Sequence, residues 1–222
     1  MYINHMLVCG SDKWISDFLK SIQNMVKVGR ITEVGNIFNK FLGLQIRGIG
    51  NSYEISQEQY ASELKEVSLN DDNLRATFSS NIGKLLWLST CTQPDISYKL
   101  SRLSLASMEQ IDEHIRVMNK LIRYVKHKKV RLKYNEANDF SNVLAYCDAS
   151  FDSPSWGGCI ILIANDVIQW SAHHICRVAR SSLAAETIQP ADTTDMAFYC
   201  SSIVSSLNKK LDIHTRLITD SK

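Results

Sequence analysis

The amino-acid sequence predicts an α/β (α+β) protein, with helices and a few strands in its first part and a mixed sheet with one long helix in its second. Apolar residues recur at helical spacing through much of residues 1–135, whereas residues 143–222 carry short apolar runs typical of strands. Of the 222 residues, 45% are hydrophobic and 22% are charged, which is enough apolar material to fill real cores. We therefore expect two globular parts.

The composition also bears on where the protein works. No apolar run reaches the length of a membrane-spanning helix, and no secretory signal opens the chain. The six cysteines are widely scattered, and none pairs with another at the spacing of a zinc or redox motif. We expect an intracellular protein, in the cytoplasm or nucleus, whose thiols are reduced.

The first part opens with short strands around one helix. Tyr2–Cys9 is predicted to be an apolar strand, and the apolar stripe through Asp12–Val28 predicts a helix. Phe41–Ile46 and Tyr53–Ile55 are predicted strands, joined across the turn-forming cluster Gly48–Asn51.

Ser56 is the predicted start of the next helix. Gln59 lies three residues later, so the pair forms the Ser-x-x-Gln pattern of a capping box. Tyr60, Leu64 and Val67 would then share the buried face of this helix.

Three more helical segments follow. Ile82–Leu88 is apolar, and Pro94 suits the first position of the next helix, because that position needs no backbone N–H. In Asp112–His127 the apolar spacing predicts a buried face made of Ile115, Met118, Leu121, Ile122 and Val125.

Beyond the polar linker Asn135–Asn142 the pattern becomes extended. The predicted strands are Val143–Cys147, Gly158–Ala164 and Val167–Ser171, and the last two turn at Asn165-Asp166.

One long helix is expected from Ser182 to about Leu207, and Leu217–Thr219 begins a final strand. Pro190 lies inside the helix and lacks a backbone N–H, so it is expected to kink or break the helix at a cost of about 3 kcal/mol.

Charge is unevenly distributed along the chain. Residues 99–133 carry ten Lys or Arg against three Asp or Glu, whereas residues 134–222 carry six against ten. A basic stretch of this kind either binds the phosphate backbone of a nucleic acid or is a solvated helix face. The candidate phosphate ligands are Arg116, Lys120, Arg123, Lys126, Lys128 and Lys129.

Several motifs, in order along the chain, resemble one known family. Phe41–Ile46 and Ile55–Gln57 are similar to the FLGLEI and ISQ motifs of copia-type reverse transcriptases. Tyr146–Ala149 is similar to the YSDA motif that opens their ribonuclease H domain. Other matches are Tyr60, Ile82–Leu88, Gln93–Tyr98, His114, Leu121–Lys126, Trp170-Ser171, Ser181-Ser182, Ala185-Glu186 and Thr219-Asp220. The chain thus resembles a copia-type (Ty1/copia) retrotransposon Pol polyprotein over essentially its whole length.

The resemblance implies a domain order. Residues 1–135 would be the C-terminal part of a reverse transcriptase, with a palm remnant at Met1–Cys9 followed by the thumb and connection. Residues 143–222 would be a ribonuclease H-like domain, which we expect to be truncated because the family's fourth carboxylate, last strand and closing helices follow the point that corresponds to Lys222. The implied partners are an RNA–DNA hybrid or other nucleic acid, and the rest of a Pol polyprotein.

The polymerase site is expected to be lost. The family's Tyr-x-Asp-Asp motif holds Mg²⁺, whereas this chain reads Tyr2-Ile3-Asn4-His5. Mg²⁺ favours carboxylate oxygens over the neutral amide of Asn4 and the imidazole of His5. The alternative is that His5 binds a softer metal. The earlier palm strand and the fingers are also expected to be absent.

The ribonuclease H site is expected to be better preserved. The resemblance assigns Asp148 to the first strand, Glu186 to the first helix and Asp220 to the end of the fourth strand, where they would bind the Mg²⁺ ions that hydrolyse RNA in a hybrid. The alternative is that each is a solvated carboxylate at the end of an element. Asp152, Asp192 and Asp195 lie nearby without an assigned role.

A second hypothesis is a catalytically inactive remnant that at most binds nucleic acid. It is favoured by the expected absence of the fingers, the Asn4-His5 pair, the expected absence of the fourth carboxylate, and Pro190. Leu183–Thr187 keeps one of the two glutamates of the family's STEAEY motif, and Pro190 interrupts the helix. The adjacent His173-His174 suggests a metal site, but we expect a surface loop pair, because neighbouring strand residues point to opposite faces.

Overall fold

The structure, a computed structural model, describes residues 5–105, 110–137, 139–151, 153–176 and 181–220. Within these ranges the helices are α1 (Asp12–Met25), α2 (Glu58–Glu63), α3 (Leu74–Cys91), α4 (Ser97–Ser104), α5 (Ile111–His127) and α6 (Ser182–Leu207). The strands are β1 (Asn39–Phe41), β2 (Leu44–Ile49), β3 (Ser52–Ser56), β4 (Arg131–Tyr134), β5 (Asn142–Ser150), β6 (Trp156–Ile163), β7 (Asp166–His174) and β8 (His214–Ile218). Helices and two four-stranded sheets occur together, which confirms the predicted α+β class.

The first sheet is antiparallel, with the strand order β1-β2-β3-β4. The single strand predicted over Phe41–Ile46 is wrong, because the chain reverses at Leu42 and Gly43, whose φ angles are 49° and 82°. Two successive residues with positive φ form a tight hairpin turn. Strand β4 was not predicted, although its inward and outward residues alternate as in a half-buried strand.

The region around Ser56 differs from the sequence prediction. Ser56 ends β3, and α2 begins only at Glu58. The predicted capping box is absent, because the backbone N–H of Gln59 donates to the side-chain oxygen of Gln45 at 2.8 Å. Leu64 is buried, but it lies beyond the end of α2, so the predicted long helical face is wrong.

Helices α3, α4 and α5 enclose the core of the first part. The five apolar residues predicted to face inward on α5 are all buried, which confirms that face. Pro94 is the first residue of a short 3₁₀ helix, Pro94–Ile96, that leads directly into α4. Its predicted position at a helix start is therefore confirmed.

The second sheet has the strand order β7-β6-β5-β8. Strands β5, β6 and β7 form an antiparallel meander, and β8 pairs parallel to β5 with Tyr146 opposite Ile218. The turn between β6 and β7 lies at Ala164 and Asn165, which have positive φ, one residue before the predicted position.

Helix α6 connects β7 to β8 and covers one face of the second sheet. Its bounds, Ser182–Leu207, agree with the prediction. The expectation that Pro190 breaks the helix is wrong, because the helix is continuous through it. Ala197 and Cys200 of α6 pack with Val143, Ala145 and Ile161 in the core beneath.

The N-terminal segment is packed less closely. Helix α1 contains no buried residue, although Trp14 and Phe18 stack on it with their ring centroids 4.9 Å apart. His5–Cys9 lies outside any helix or strand, so the strand predicted there is wrong for the described residues. A strand needs a hydrogen-bonded neighbour, and within the described ranges this segment has none.

The second sheet is joined to helices α3 and α4 of the first part through β7. The indole N–H of Trp170 donates to the carbonyl of Ser89 at 2.7 Å, and the hydroxyl of Ser101 donates to the carbonyl of Ala172 at 2.6 Å. Tyr98 and Trp156 meet edge to face with their centroids 5.7 Å apart. Of the helices described, none is long and apolar enough to cross a membrane.

Candidate nuclease site and basic surface

Asp148 and Asp220 lie at the same end of the second sheet. Asp148 is exposed on β5, opposite Gly158 of β6, and Asp220 follows the last residue of β8 by two positions. The parallel register that pairs Tyr146 with Ile218 brings Asp148 level with Asp220 when it is continued by two residues. Neighbouring strands lie about 4.8 Å apart, so these two carboxylates come from adjacent positions.

Asp148 and Asp220 both affect the pKa of the Cys147 thiol. Burial under α6 raises the pKa of Cys147, and the charges of Cys159, Asp148 and Asp220 raise it further, while a hydrogen bond with Thr193 lowers it. Both aspartates are therefore within electrostatic range of one buried thiol, between β5 and α6.

Glu186 lies one turn into α6. The hydroxyl of Ser181 caps this helix by accepting from the backbone N–H of Ala184 at 3.1 Å. Glu186 is half-buried, and the next turn carries the buried Gln189. Because Gln189 lies against Gly157, which pairs with Ala149 of β5, the first turns of α6 lie near the end of β5.

The structure does not bring the three acids into one metal-binding group. Among the described residues, no three His, Cys, Asp or Glu side chains are placed together to hold a metal ion. Mg²⁺ is often bound through only one or two carboxylates together with water and substrate phosphates. The roles of Asp148, Glu186 and Asp220 as metal ligands therefore stay predictions.

The side chain of Gln189 on α6 lies directly against Gly157 of β6. A Cβ at this position would overlap the side-chain amide of Gln189. Gln189 is 1% exposed, and its Oε1 has no hydrogen-bond partner among the described residues. The absence of a side chain at Gly157 therefore sets the distance between the helix that carries Glu186 and the sheet.

The basic surface is formed by the outer face of α5 and the segment after it. All six predicted phosphate ligands are exposed, which agrees with either alternative for the stretch. Arg123 is 3.5 Å from Glu66, and Lys128 is 3.0 Å from Asp95. Within the described ranges the remaining four, Arg116, Lys120, Lys126 and Lys129, form no ion pair.

Lys128 belongs to a network that the sequence analysis missed. Its ammonium donates to the Tyr124 hydroxyl at 2.7 Å, and that hydroxyl donates to Asp95 at 2.6 Å. Hydrogen bonds to Tyr124 and Asp95 raise the pKa of Lys128. Burial raises the pKa of Asp95, but its bonds with Tyr124 and Lys128 outweigh burial and leave that pKa below its ordinary value.

The remaining candidates are dispersed. His5 packs edge to face on Phe41 at 6.4 Å, while Asn4 and Asp152 lie outside the described residues. The expectation that His173 and His174 form a loop pair is wrong, because both lie on β7. His173 is 4.0 Å from Asp192, whereas the ring of His174 packs on Trp156, 5.8 Å away.

Comparison with known proteins finds similarity to transposon-encoded proteins. Its homologues are copia-type transposon proteins and retrovirus-related Pol polyproteins, which confirms the resemblance found in the sequence. No family model matches the chain.

Three relatives illustrate the similarity. The chain is 28% identical to a putative transposon Ty5-1 protein of Saccharomyces cerevisiae, over 87% of this chain and 71% of the relative. It is 25% identical to an uncharacterized mitochondrial protein of Arabidopsis thaliana, over 84% and 87%. It is 23% identical to the retrovirus-related Pol polyprotein from transposon RE1 of Arabidopsis thaliana, over 95% of this chain but 16% of that polyprotein.

Proposed function

We propose that this chain is part of a retrotransposon reverse transcriptase and ribonuclease H, in which the second sheet and α6 form the nuclease. The proposed reaction is hydrolysis of the RNA strand in an RNA–DNA hybrid. The observation that supports the proposal is the parallel pairing of β5 with β8, whose register, continued by two residues beyond Tyr146 and Ile218, brings Asp148 level with Asp220.

The proposed metal ligands are Asp148, Glu186 and Asp220. When bound, Mg²⁺ would activate a water for attack on the phosphodiester and stabilise the leaving 3′ oxygen. Asp148 and Asp220 would supply negatively charged oxygens from adjacent strands, and Glu186 would approach from the first turn of α6. The β5–β6 ladder holds Asp148 in place through its pairing with Gly158.

The basic surface would hold the hybrid. The four cations without an ion pair among the described residues, Arg116, Lys120, Lys126 and Lys129, are available to neutralise phosphates. Arg123 and Lys128 already pair with Glu66 and Asp95, so their contribution would be smaller. Contacts of this kind position a duplex without reading its sequence.

A second candidate function is nucleic-acid binding without catalysis. It is favoured by one observation, that no three potential metal ligands come together among the described residues. Under this alternative the basic surface still binds a hybrid, and Asp148, Glu186 and Asp220 are solvated carboxylates. The polymerase reaction is excluded from both proposals because Asn4 and His5 replace the two aspartates of the family motif.

Metal binding and hybrid cleavage distinguish the two functions. Mn²⁺, a paramagnetic stand-in for Mg²⁺, should broaden the NMR signals of Asp148 and Asp220 first, and a labelled RNA–DNA hybrid should be cut in the presence of Mg²⁺. Asp148→Asn should abolish both effects. Asp212→Asn is the matched control, because the Asp212 side chain is 91% exposed and lies before β8.

The two proposed functions predict different outcomes of these experiments. Hybrid binding with neither site-specific Mn²⁺ broadening nor cleavage would replace the nuclease proposal by the binding-only alternative. Cleavage that survives Asp148→Asn would show that other groups carry the reaction.

A further inference from the structure

A cleft opens beside the C-terminal end of α5. Its volume is about 320 Å³, and it lies between the lysine-rich end of α5 on one side and β2 with α2 on the other. The lining residues that matter here are Gln45, Gln59, Gln93, Lys126, Lys128 and Lys129. Glu58, Ser62, Val125 and Val130 complete the lining, and the volume lies at the lower end of the range of small-ligand pockets.

The charge of the cleft is positive once its internal pairs are counted. Glu58 also lines it, but its carboxylate accepts from Arg131 at 2.6 Å. Lys128 is held by Asp95 and Tyr124. Lys126 and Lys129, which form no ion pair with any described residue, leave two uncompensated cations at the cleft, an environment that favours an anion.

Gln93 supplies a second, independent feature. It lines the cleft but is only 3% exposed, and its Oε1 has no hydrogen-bond partner among the described residues. Buried acceptors are almost always paired, so an unpaired one calls for a donor. The last torsion of a glutamine side chain is soft, so the orientation of this oxygen can adjust to a donor that enters the cleft.

On the opposite side of the cleft, Gln45 has its oxygen occupied and its nitrogen available. Its Oε1 accepts from the backbone N–H of Gln59 at 2.8 Å, so its amide N–H groups remain as donors beside the lysines. The cleft therefore offers donors and positive charge from Gln45 and the lysines, and Gln93 of its lining carries a buried acceptor without a partner among the described residues.

We propose that this cleft binds one ribonucleotide unit of an RNA strand, with the phosphate between Lys126 and Lys129 and the ribose 2′-hydroxyl donating to Oε1 of Gln93. The proposal rests on the proposed binding of an RNA–DNA hybrid and deepens it by assigning the RNA strand to this side of α5. The 2′-hydroxyl is the donor that RNA has and DNA lacks. The cleft would thus tell the two strands apart by chemistry rather than by base sequence.

The test compares an RNA pentamer with the DNA pentamer of the same sequence, and AMP with dAMP and inorganic phosphate, by NMR titration of the full chain. We expect the RNA pentamer and AMP to bind about fivefold to tenfold more tightly than their deoxy counterparts, as one hydrogen bond implies. Inorganic phosphate should bind most weakly. The side-chain amide signal of Gln93 should move with RNA and AMP and stay in place with DNA and dAMP.

Substitutions at Gln93, Lys126 and Lys129 test the proposed contacts with the nucleotide. Gln93→Leu should remove the preference for ribose while leaving DNA affinity unchanged, whereas Lys126→Ala with Lys129→Ala should weaken RNA and DNA equally. Lys13→Ala on α1 is the matched control and should change neither. Because Gln93→Leu alters a buried position, its circular dichroism spectrum and thermal midpoint are compared with those of the unaltered chain. If the variant does not fold, the shift of the Gln93 amide signal in the unaltered chain still shows whether Gln93 contacts the ribose.

Equal binding of RNA and DNA, or a ribose preference that persists in Gln93→Leu, would overturn the proposal. A preference seen with AMP but not with the pentamer would overturn the strand assignment and make the cleft a site for free ribonucleotides. Failure of the larger proposal looks different, since the chain would then bind AMP in this cleft without binding a hybrid duplex.

Discussion

Gly157 shows how one missing side chain positions the proposed site. The amide of Gln189 occupies the space where a Cβ would lie, and Gln189 is one turn of α6 beyond Glu186. A larger residue at position 157 would push the helix away from β6. The distance between Glu186 and the sheet would then change, together with the packing.

Gly157→Ala is therefore expected to destabilise the fold by about 1–3 kcal/mol, the usual cost of overpacking a filled site. The measurement is the urea midpoint of unfolding. Gly29→Ala is the control, since a Cβ at Gly29 meets nothing within 4 Å. An equal effect of the two substitutions would mean that the contact with Gln189 is not the cause.

The network of Asp95, Tyr124 and Lys128 predicts a pH dependence. The folded-state pKa of Asp95 is lowered, so its contribution to stability is present above the ordinary aspartate pKa and is lost as the pH falls through the folded-state value. Tyr124→Phe should lower the free energy of unfolding at pH 7 by about 0.5–1.5 kcal/mol. The difference should shrink in strongly acidic solution, where Asp95 is protonated.

Urea unfolding at several pH values, with NMR titration of the Asp95 carboxyl, checks this dependence. The Asp95 pKa should move upward in Tyr124→Phe. Tyr53→Phe is the control, because the Tyr53 side chain forms no hydrogen bond with any described residue. A stability difference that stays constant with pH would show that Tyr124 acts through packing alone.

The Asn4-His5 pair predicts that the chain does not synthesise DNA. Neither residue offers the carboxylate oxygens that Mg²⁺ requires from the palm motif. Purified protein should leave a labelled primer unextended on a primed template with Mg²⁺ or Mn²⁺. Extension that is removed by immunodepletion of the chain would contradict this expectation.

Sequence reasoning worked at the level of residues where a pattern repeats and failed where a contact is long-range. The buried face of α5 follows from apolar spacing alone, and all five of its predicted residues are buried. The contact between Gly157 and Gln189 joins residues 32 positions apart, which no local pattern reveals. The spacing of Tyr124 and Lys128, four residues apart on a helix, was a local signal that could have been used.

The elements were predicted best where they are long. Helix α6 has the predicted bounds because Ser181 caps its start and its apolar content continues over 26 residues. Short elements were missed, since β4 is hidden among lysines and arginines and the β1–β2 hairpin turns on two residues with positive φ. In these cases pairing with a neighbouring strand decides the structure, and the local sequence does not show which strands pair.

Pro190 gives a prediction at the scale of the helix. It lacks the N–H that would bond to the carbonyl of Glu186, yet α6 continues through it because the helix packs on the sheet through Gln189 and Thr193. Pro190→Ala should therefore stabilise the fold by about 1–3 kcal/mol, by restoring that bond and removing the steric strain of the ring. A higher urea midpoint is the expected result. An unchanged or lower midpoint would show that contacts of the pyrrolidine ring outweigh the lost bond.

At the scale of the whole molecule, the basic surface predicts how binding responds to salt. Each phosphate that a cation neutralises releases counterions, so affinity for an RNA–DNA hybrid should fall steeply with salt concentration. Changing Arg116, Lys120 and Lys126 to Ala should lower the slope of log affinity against log salt by about two to three. Fluorescence anisotropy with a labelled hybrid measures this slope.

The matched comparison uses the cations that are already paired. Arg123→Ala with Lys128→Ala removes two charges bound to Glu66 and Asp95, so the slope should change by less per residue. An unchanged slope in the first variant would mean that this face is merely solvated.

The contacts of β7 with α3 and α4 bear on where a bound duplex would be cut. Trp170 and Ser101 form hydrogen bonds that join β7 to α3 and α4, the helices that lead to α5. In the proposed complex, these contacts would fix the distance between the basic surface and the proposed nuclease site. The number of base pairs from a bound phosphate to the scissile bond would then be set by the packing of the second sheet on α3 and α4.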